Sequence, residues 1–300
     1  MLDSLPFILL DSLVYASWLF LVASGLTLIY GVMKVLNIAH GSLYAFGAYT
    51  TAWLVGWFSS NYENYQFLNY LFIPLSAVLV GLILSVFMEK LFLRKIYGRD
   101  EIVIVLVTYG LFLIFEDTMK ILFGTSSYLP FQPRMMLGDI NVLGLPYVIY
   151  DLLIIVLAIA VWALFYFIIK FTKIGKLLIA VIHDREIASS MGINVSKFFV
   201  YTFFIGCFLG CLGGAASAPM ISVVPGIGVE VIVLAFAVVV SGGLGSITGA
   251  AIGAILIGIF RTLAIFYLPQ LELFIVFFVM AIILSVKPEG LFGSKETRKI

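Results

Sequence analysis

The feature that most constrains this chain is a succession of apolar runs, most of them about 20 residues long, separated by short polar breaks. An α-helix rises about 1.5 Å per residue, so a run of that length spans the ~30 Å hydrocarbon core of a bilayer. Strands of a membrane barrel would instead show stretches of about 10 residues with alternating polarity. Composition agrees with helices in lipid: of 300 residues, 63% are hydrophobic and 11% charged, and the mean hydropathy is +1.19. A water-soluble domain carries about 25% charged residues. The expected fold class is therefore all-α: a polytopic integral membrane protein forming one transmembrane domain over residues 1–300, with no soluble domain.

Nine apolar segments are expected, at roughly 7–31, 36–58, 67–92, 102–123, 147–170, 198–221, 229–246, 249–267 and 271–286. The last three are short and closely spaced, so the count is eight or nine, with one segment re-entrant or broken. Of 17 Lys and Arg residues, 14 fall on one side of this arrangement. They are Lys34, then Lys90, Arg94, Lys95 and Arg99, then Lys170, Lys173, Lys176, Arg185 and Lys197, and finally Lys287, Lys295, Arg298 and Lys299. Arg134 lies in an opposite loop, and Lys120 and Arg261 lie within segments. The positive-inside rule places the N-terminus outside and the C-terminus in the cytoplasm. No Lys or Arg precedes Lys34, so the start of the chain does not read as a signal peptide with a basic n-region.

Two connections are long. Residues 124–146 carry Pro130, Pro133, Gly138, Gly144 and Pro146 and read as an ordered loop with turns. Residues 171–197 form the one amphipathic, charged stretch of any length. There Leu177, Leu178, Val181 and Ile182, then Ile187, Ala188 and Met191, recur at helical spacing and predict one or two short helices along the membrane face.

Little in the chain carries reactive chemistry. A phosphate-binding loop of the G-x-x-x-x-G-K-[ST] type is absent, and Gly293-Ser294-Lys295 is only a fragment of one. His40 and His183 have no Cys or carboxylate at metal-ligand spacing. Cys207 and Cys211 lie one helical turn apart in an apolar run and read as small packing residues. A net charge of +1 excludes a general basic surface for nucleic acid. Charge within the segments is sparse: Asp11 near the first start, Glu116, Asp117 and Lys120 in the outer third of the fourth, and Arg261 a short turn from Glu272. The i, i+4 spacing predicts a local Glu116–Lys120 pair.

Glycine is the stronger signal. One cluster runs from Gly25 to Gly56, with Asn37, His40 and Ser42 beside it. A second, Ser241-Gly242-Gly243-Leu244-Gly245-Ser246, cannot continue a regular helix cheaply and is followed by Thr248. Backbone freed by such breaks needs protein or water as a partner, and glycine-interrupted segments in separate parts of a transporter point to its passage. These eight residues, Asn37, His40, Ser42, Ser241, Gly242, Gly243, Ser246 and Thr248, are the candidate lining of that passage.

GLTLIYGVMKVLNIAHGSLYAFGAY (25–49), DREIASSMGIN (184–194), VVVSGGLGSITGAAIG (238–253) and the closing KPEGLFG (287–293) together resemble the LivH-type permease subunits of branched-chain amino-acid ABC importers. The resemblance spans nearly the whole chain and extends to relatives that carry urea or short-chain amides. Permeases of ABC importers carry a cytoplasmic loop with Glu-Ala-Ala and a glycine six residues after the Glu. Glu186, Ala188 and Gly192 hold that spacing after Asp184, although Ile187 replaces the middle Ala and the downstream Leu-Pro is missing. The resemblance implies a multi-pass prokaryotic inner-membrane protein that is not itself an enzyme and holds no cofactor. Its implied partners are a second permease, two cytoplasmic subunits that bind ATP and Mg, and a periplasmic or extracellular substrate-binding protein. An ion-coupled secondary transporter and a channel are the rival readings, and the sparsely charged segments together with the coupling-like loop disfavour both.

Overall fold

The computed structural model describes residues 5–142 and 144–293. Lys295, Arg298 and Lys299, counted above toward the basic side, lie outside the described residues.

Long helices follow the apolar runs. They are α1 (Leu5–Met33), α2 (His40–Asn61), α3 (Asn69–Met88), α4 (Glu101–Phe123), α6 (Ile149–Phe171), α9 (Val195–Ser217), α10 (Ile227–Gly242), α11 (Ile247–Tyr267) and α12 (Glu272–Val286). Three short helices, α5 (Gln132–Met136), α7 (Lys173–His183) and α8 (Arg185–Ser190), occupy the two long connections. The first connection also holds an antiparallel hairpin, β1 (Asp139–Val142) and β2 (Leu145–Val148). It is tied to the helices by an Arg134–Asp151 ion pair at 2.7 Å and by the Tyr70 hydroxyl donating to the Pro133 carbonyl at 2.7 Å.

Seven of the described helical stretches are long and apolar enough to cross a membrane. The two remaining long helices, α2 and α10, fall short for different reasons. α2 runs from His40 to Tyr49 without an exposed residue, so it faces protein rather than lipid and tolerates Ser42, Thr50 and Thr51. α10 has 16 residues, about 24 Å at the helical rise, and does not reach across the hydrocarbon. With these two the described residues hold nine long helices in place of the nine expected segments.

α1 and α9 sit at the centre. Val14 through Ile29 are buried on every face of α1, as expected of a helix apolar all round. α1 packs most extensively against α9 and α11, and α9 also packs against α2 and α3. Small residues on α9 allow that crowding: a Cβ added at Gly214 would collide with the Tyr44 carbonyl oxygen of α2. Without hydrophobic driving force between helices in lipid, such close backbone approach supplies the van der Waals contact that holds them. Cys207 and Cys211 are buried free thiols in the same interface.

The ends of α1, α3, α6 and α12 that carry most of the Lys and Arg residues are joined by contacts and define one face, here called the basic face. Gly31 lies against Gly245, Lys170 and Lys176 share a cavity with Gly245, Gly243 packs against Gly293, and Tyr97 and Arg185 both meet the Phe199 ring. Ser12 and Ala16 of α1 meet Gly258 of α11 nearer the opposite face. There Arg261 pairs with Glu272 and lies 4.0 Å over the Tyr15 ring, so its charge is satisfied within the bundle. Prediction: Gly214→Ala lowers stability by about 1–3 kcal/mol through overpacking. Gly110→Ala, with nothing within 4 Å of its added Cβ, is neutral or slightly stabilising. Thermal melting in detergent checks the pair, and equal melting of both variants would contradict this packing.

Candidate functional site: a buried polar junction between two half-helices

Two breaks shape the site. At the first, α1 ends at Met33 and Lys34 takes a left-handed conformation with φ 55°. The chain then re-enters the protein as non-helical backbone, with Val35 2% and Asn37 0% exposed. α2 begins at His40, whose Nε2 lies 3.0 Å from the Val22 carbonyl oxygen. Val22 is 11 residues inside the end of α1, about 17 Å from the basic face. α2 thus starts in the interior and rises toward the opposite face.

Non-helical backbone at membrane depth must find partners within the protein. Thr108 of α4 supplies them: its Oγ1 accepts from the Ile38 N–H at 3.3 Å and shares its own proton between the Leu36 carbonyl at 3.3 Å and the Val105 carbonyl of its own helix at 3.1 Å. The sequence reading missed Thr108.

The second break precedes α10. Residues Tyr128 and Val223 exchange two backbone hydrogen bonds, at 2.9 and 3.0 Å, pinning the approach to α10 against the loop after α4. Gly226, with φ 87°, turns the chain into α10, which descends to the basic face. The first turns of α2 and α10 then lie side by side. A Cβ at Gly41 would strike the Gly228 carbonyl oxygen, and one at Gly228 would sit 2.9 Å from the Gly41 oxygen and 3.0 Å from Glu116 Oε1. Only glycine permits this approach at either position. Two half-helices therefore bring their positive N-terminal ends to one place in the interior, beside a carboxylate.

Glu116 is a correction to the sequence reading. Lys120 pairs with Asp117 at 3.0 Å, on a face where their side chains are 46% and 75% exposed. Glu116 turns inward instead, where its carboxylate accepts from the Gly226 N–H while its Oε1 meets no protein partner. The signal that could have found both residues is the buried stripe Thr108, Phe112, Glu116 and Met119, where two polar residues stand at core-facing positions.

Three of the eight candidate passage residues gather here. Asn37, His40 and Ser42 are each 0% exposed. Both polar atoms of the Asn37 side chain, His40 Nδ1 and the Ser42 hydroxyl lack protein partners. The other five lie elsewhere. Ser241 is 13 residues beyond Gly228 along α10, about 20 Å away. At that end the Leu291 and Phe292 amides donate to the carbonyls of Ser241 and Gly242 at 2.9 Å each. Gly243, with φ 107°, packs against Gly293, so the closing KPEGLFG segment seals this break. The Ser246 hydroxyl accepts from the Gly249 N–H at 3.0 Å and caps α11. Thr248 lines a groove between α11 and α6.

The 171–197 connection forms the two short helices expected. Asp184 caps α8, accepting from the Glu186 and Ile187 N–H groups at 3.0 Å each. Ala188 is 2% exposed and anchors α8, while Gly192, with φ 84°, ends it. The predicted apolar stripe is divided: Val181 and Ala188 are buried, whereas Ile187 is 60% and Met191 76% exposed. Glu186, Ile187 and Met191 thus form an exposed knob. Arg185 roots it: its guanidinium reaches the Val32 carbonyl at 3.4 Å and stacks 5.0 Å from the Phe199 ring. Burial lowers the Arg185 pKa from its ordinary value, yet an arginine stays charged throughout the physiological range.

Residues 8–286 match the family described as "Branched-chain amino acid transport system / permease component". The chain belongs to that family. It is a multi-pass membrane permease, a transport subunit rather than an enzyme. It is 26% identical to the high-affinity branched-chain amino acid transport system permease protein LivH of Escherichia coli K12, over 93% of this chain and 92% of that one. To the corresponding protein BraD of Pseudomonas aeruginosa it is 23% identical over 97% of both. Among solved structures, PsaBC from Streptococcus pneumoniae in complex with Fab has the same fold at TM-score 0.52 and 11% identity, with 97% of this permease and 96% of that chain covered.

Prediction: Thr108→Val leaves the Ile38 amide and the Leu36 carbonyl without their side-chain partner. The break between α1 and α2 then loosens by about 1–3 kcal/mol. Hydrogen exchange of residues 34–40 should quicken while α6 is unchanged; unaltered exchange in both would contradict the anchoring role.

Proposed function

We propose that this permease imports branched-chain amino acids, and that its passage runs by the junction of α2 and α10. The observation that carries this reading is the concentration of unpartnered polar atoms there. Buried polar groups are bonded in more than nine cases out of ten, and each orphan costs about 1–3 kcal/mol. A protein that leaves both polar atoms of Asn37, His40 Nδ1, the Ser42 hydroxyl and Glu116 Oε1 without partners around this junction holds a site that is completed in another state. An amino-acid zwitterion has the matching chemistry: its carboxylate suits the N-terminal ends of α2 and α10, and its ammonium suits Glu116. The apolar side chain would pass among the small residues of α9. Ser241, Gly242 and Gly243 stand at the far end of α10 as the exit, with Ser246 and Thr248 fixing the start of α11 beside it.

In this reading the basic face is cytoplasmic, the N-terminus is outside, and the membrane is the prokaryotic inner membrane. The chain holds no nucleotide. ATP and Mg belong to two cytoplasmic ATPase subunits, which grip the knob formed by Asp184, Glu186, Ala188 and Gly192 with Ile187 and Met191 at its surface. A second permease completes the passage, and a substrate-binding protein delivers the amino acid from outside. An exposed apolar knob flanked by mixed charge fits a groove on a protein better than an anionic lipid surface, which would favour a uniformly basic face.

Prediction: Ile187→Asp with Met191→Asp abolishes co-purification of the ATPase subunits. Asn37→Ala with Glu116→Gln leaves that assembly intact but lowers ATP-dependent leucine uptake about tenfold or more, the equivalent of one lost buried hydrogen bond. Undiminished uptake by the second variant would place the passage elsewhere.

A further inference from the structure

A groove on the flank of the bundle shares Ser246 and Thr248, at the start of α11, with the candidate passage residues, while the rest of its lining lies outside that set. It has two adjoining parts. The first, a cavity of about 520 Å³ at the basic face, is lined in part by Lys170, Lys176, Tyr166 and Ser246. The second, of about 380 Å³, runs between α1, α6 and α11 and is lined by apolar residues such as Phe20, Ile159 and Ile255. Trp162 and Thr248 border both parts, so the two are continuous.

The chemistry of the two parts differs sharply. The mouth carries two lysines and no carboxylate. Among the described residues neither lysine is in an ion pair. Lys170 Nζ donates to the Tyr166 hydroxyl at 2.8 Å and lies 5.1 Å from the centre of its ring, which holds the ammonium at the mouth without neutralising it. The mouth also contains the first turn of α11, a helix of 21 residues whose positive end adds to the attraction for an anion. The cleft below has no charged lining at all. Its Ser17 hydroxyl is already spent on the Leu13 carbonyl at 2.6 Å. Trp162 stands at the boundary, where an amphipathic ring is at home between headgroups and acyl chains.

We propose that this groove binds one anionic glycerophospholipid, its phosphate between Lys170 and Lys176 and one acyl chain in the cleft past Trp162. The charge pattern selects the occupant. A zwitterionic headgroup brings no net charge to balance the two lysines, and a free amino acid has nothing to fill a long apolar cleft. Basic pockets between helices at the cytoplasmic side are suited to such headgroups. The lipid would bridge α1, α6 and α11 in the manner of an extra side chain.

The test uses the full-length permease in its purified assembly, delipidated and then offered phosphatidylglycerol or phosphatidylcholine of the same chain length, with retention read by native mass spectrometry. Wild type should prefer phosphatidylglycerol by about thirtyfold, the combined weight of two lysines near an anionic headgroup. Lys170→Gln with Lys176→Gln should remove the preference, while Lys90→Gln, away from the groove, should keep it. A bulky Thr248→Trp substitution should displace both lipids by closing the cleft. Equal retention of the two lipids by wild type would overturn the proposal. So would an unchanged preference in the double lysine variant, or retention by the isolated chain that vanishes when a second permease covers the groove. Thermal melting of each variant separates loss of the site from loss of the fold.

Discussion

Everything in this structure depends on how the membrane interior treats an unpaired backbone amide. Lipid offers no partner, so a chain that leaves the helical conformation at depth must be enclosed by protein. Residues 34–39 do this, and Thr108 holds their amide and carbonyl groups from an adjacent helix. Enclosure in turn requires helices packed on all sides, which is why residues 14–29 of α1 and 209–217 of α9 are buried around their circumference. It also explains why the flanking helices are asymmetric, with only Val276 and Val279 of α12 buried and its outer face left to lipid or a partner. The broken segments and the dense centre are one feature seen twice.

The same enclosure links the basic face to the interior. Arg185 connects the exposed knob of α8 to the Val32 carbonyl, two residues before the backbone turns at Lys34. From Lys34 the chain runs directly to Asn37, His40 and the first turn of α2. A displacement of the knob therefore has a short covalent route to the polar junction, through a segment that is already non-helical and needs no helix to be broken. Close glycine contacts between α2 and α10 make that junction an arrangement of discrete packings rather than an elastic one, the condition under which small shifts become switching.

Much of this was legible in the residues. Apolar run length located the helices within a few positions, because spanning length is set by the bilayer. The Gly242–Gly245 break, the two short helices of 171–197 and the Arg261–Glu272 pairing also followed from local chemistry. What could not be read was the surroundings of each run. Nothing in the local pattern of 36–58 says that its first part is wrapped in protein and that the helix waits until His40 to begin. Thr108 carries no signal by itself, since its partners lie 70 and 72 residues away. Glu116 was misassigned because i, i+4 spacing identifies who is near but not which way the helix faces. The stripe of Phe112, Glu116 and Met119 carries that second piece of information. Local pattern also does not give the spacing of the two glycine clusters: Ser241 stands about 20 Å from the junction, at the other end of α10, where the closing segment packs against it.

The central claim is that the junction at Asn37, His40 and Ser42 opens during turnover. The direct measurement is the reactivity of a Ser42→Cys variant, in a Cys207→Ala, Cys211→Ala background, toward a water-soluble thiol reagent in the assembled importer. The thiol should be protected at rest, as the complete burial of Ser42 requires. Labelling should become rapid when ATP and substrate-loaded binding protein are supplied together. Transport that continues at full rate while the thiol stays protected would contradict the account.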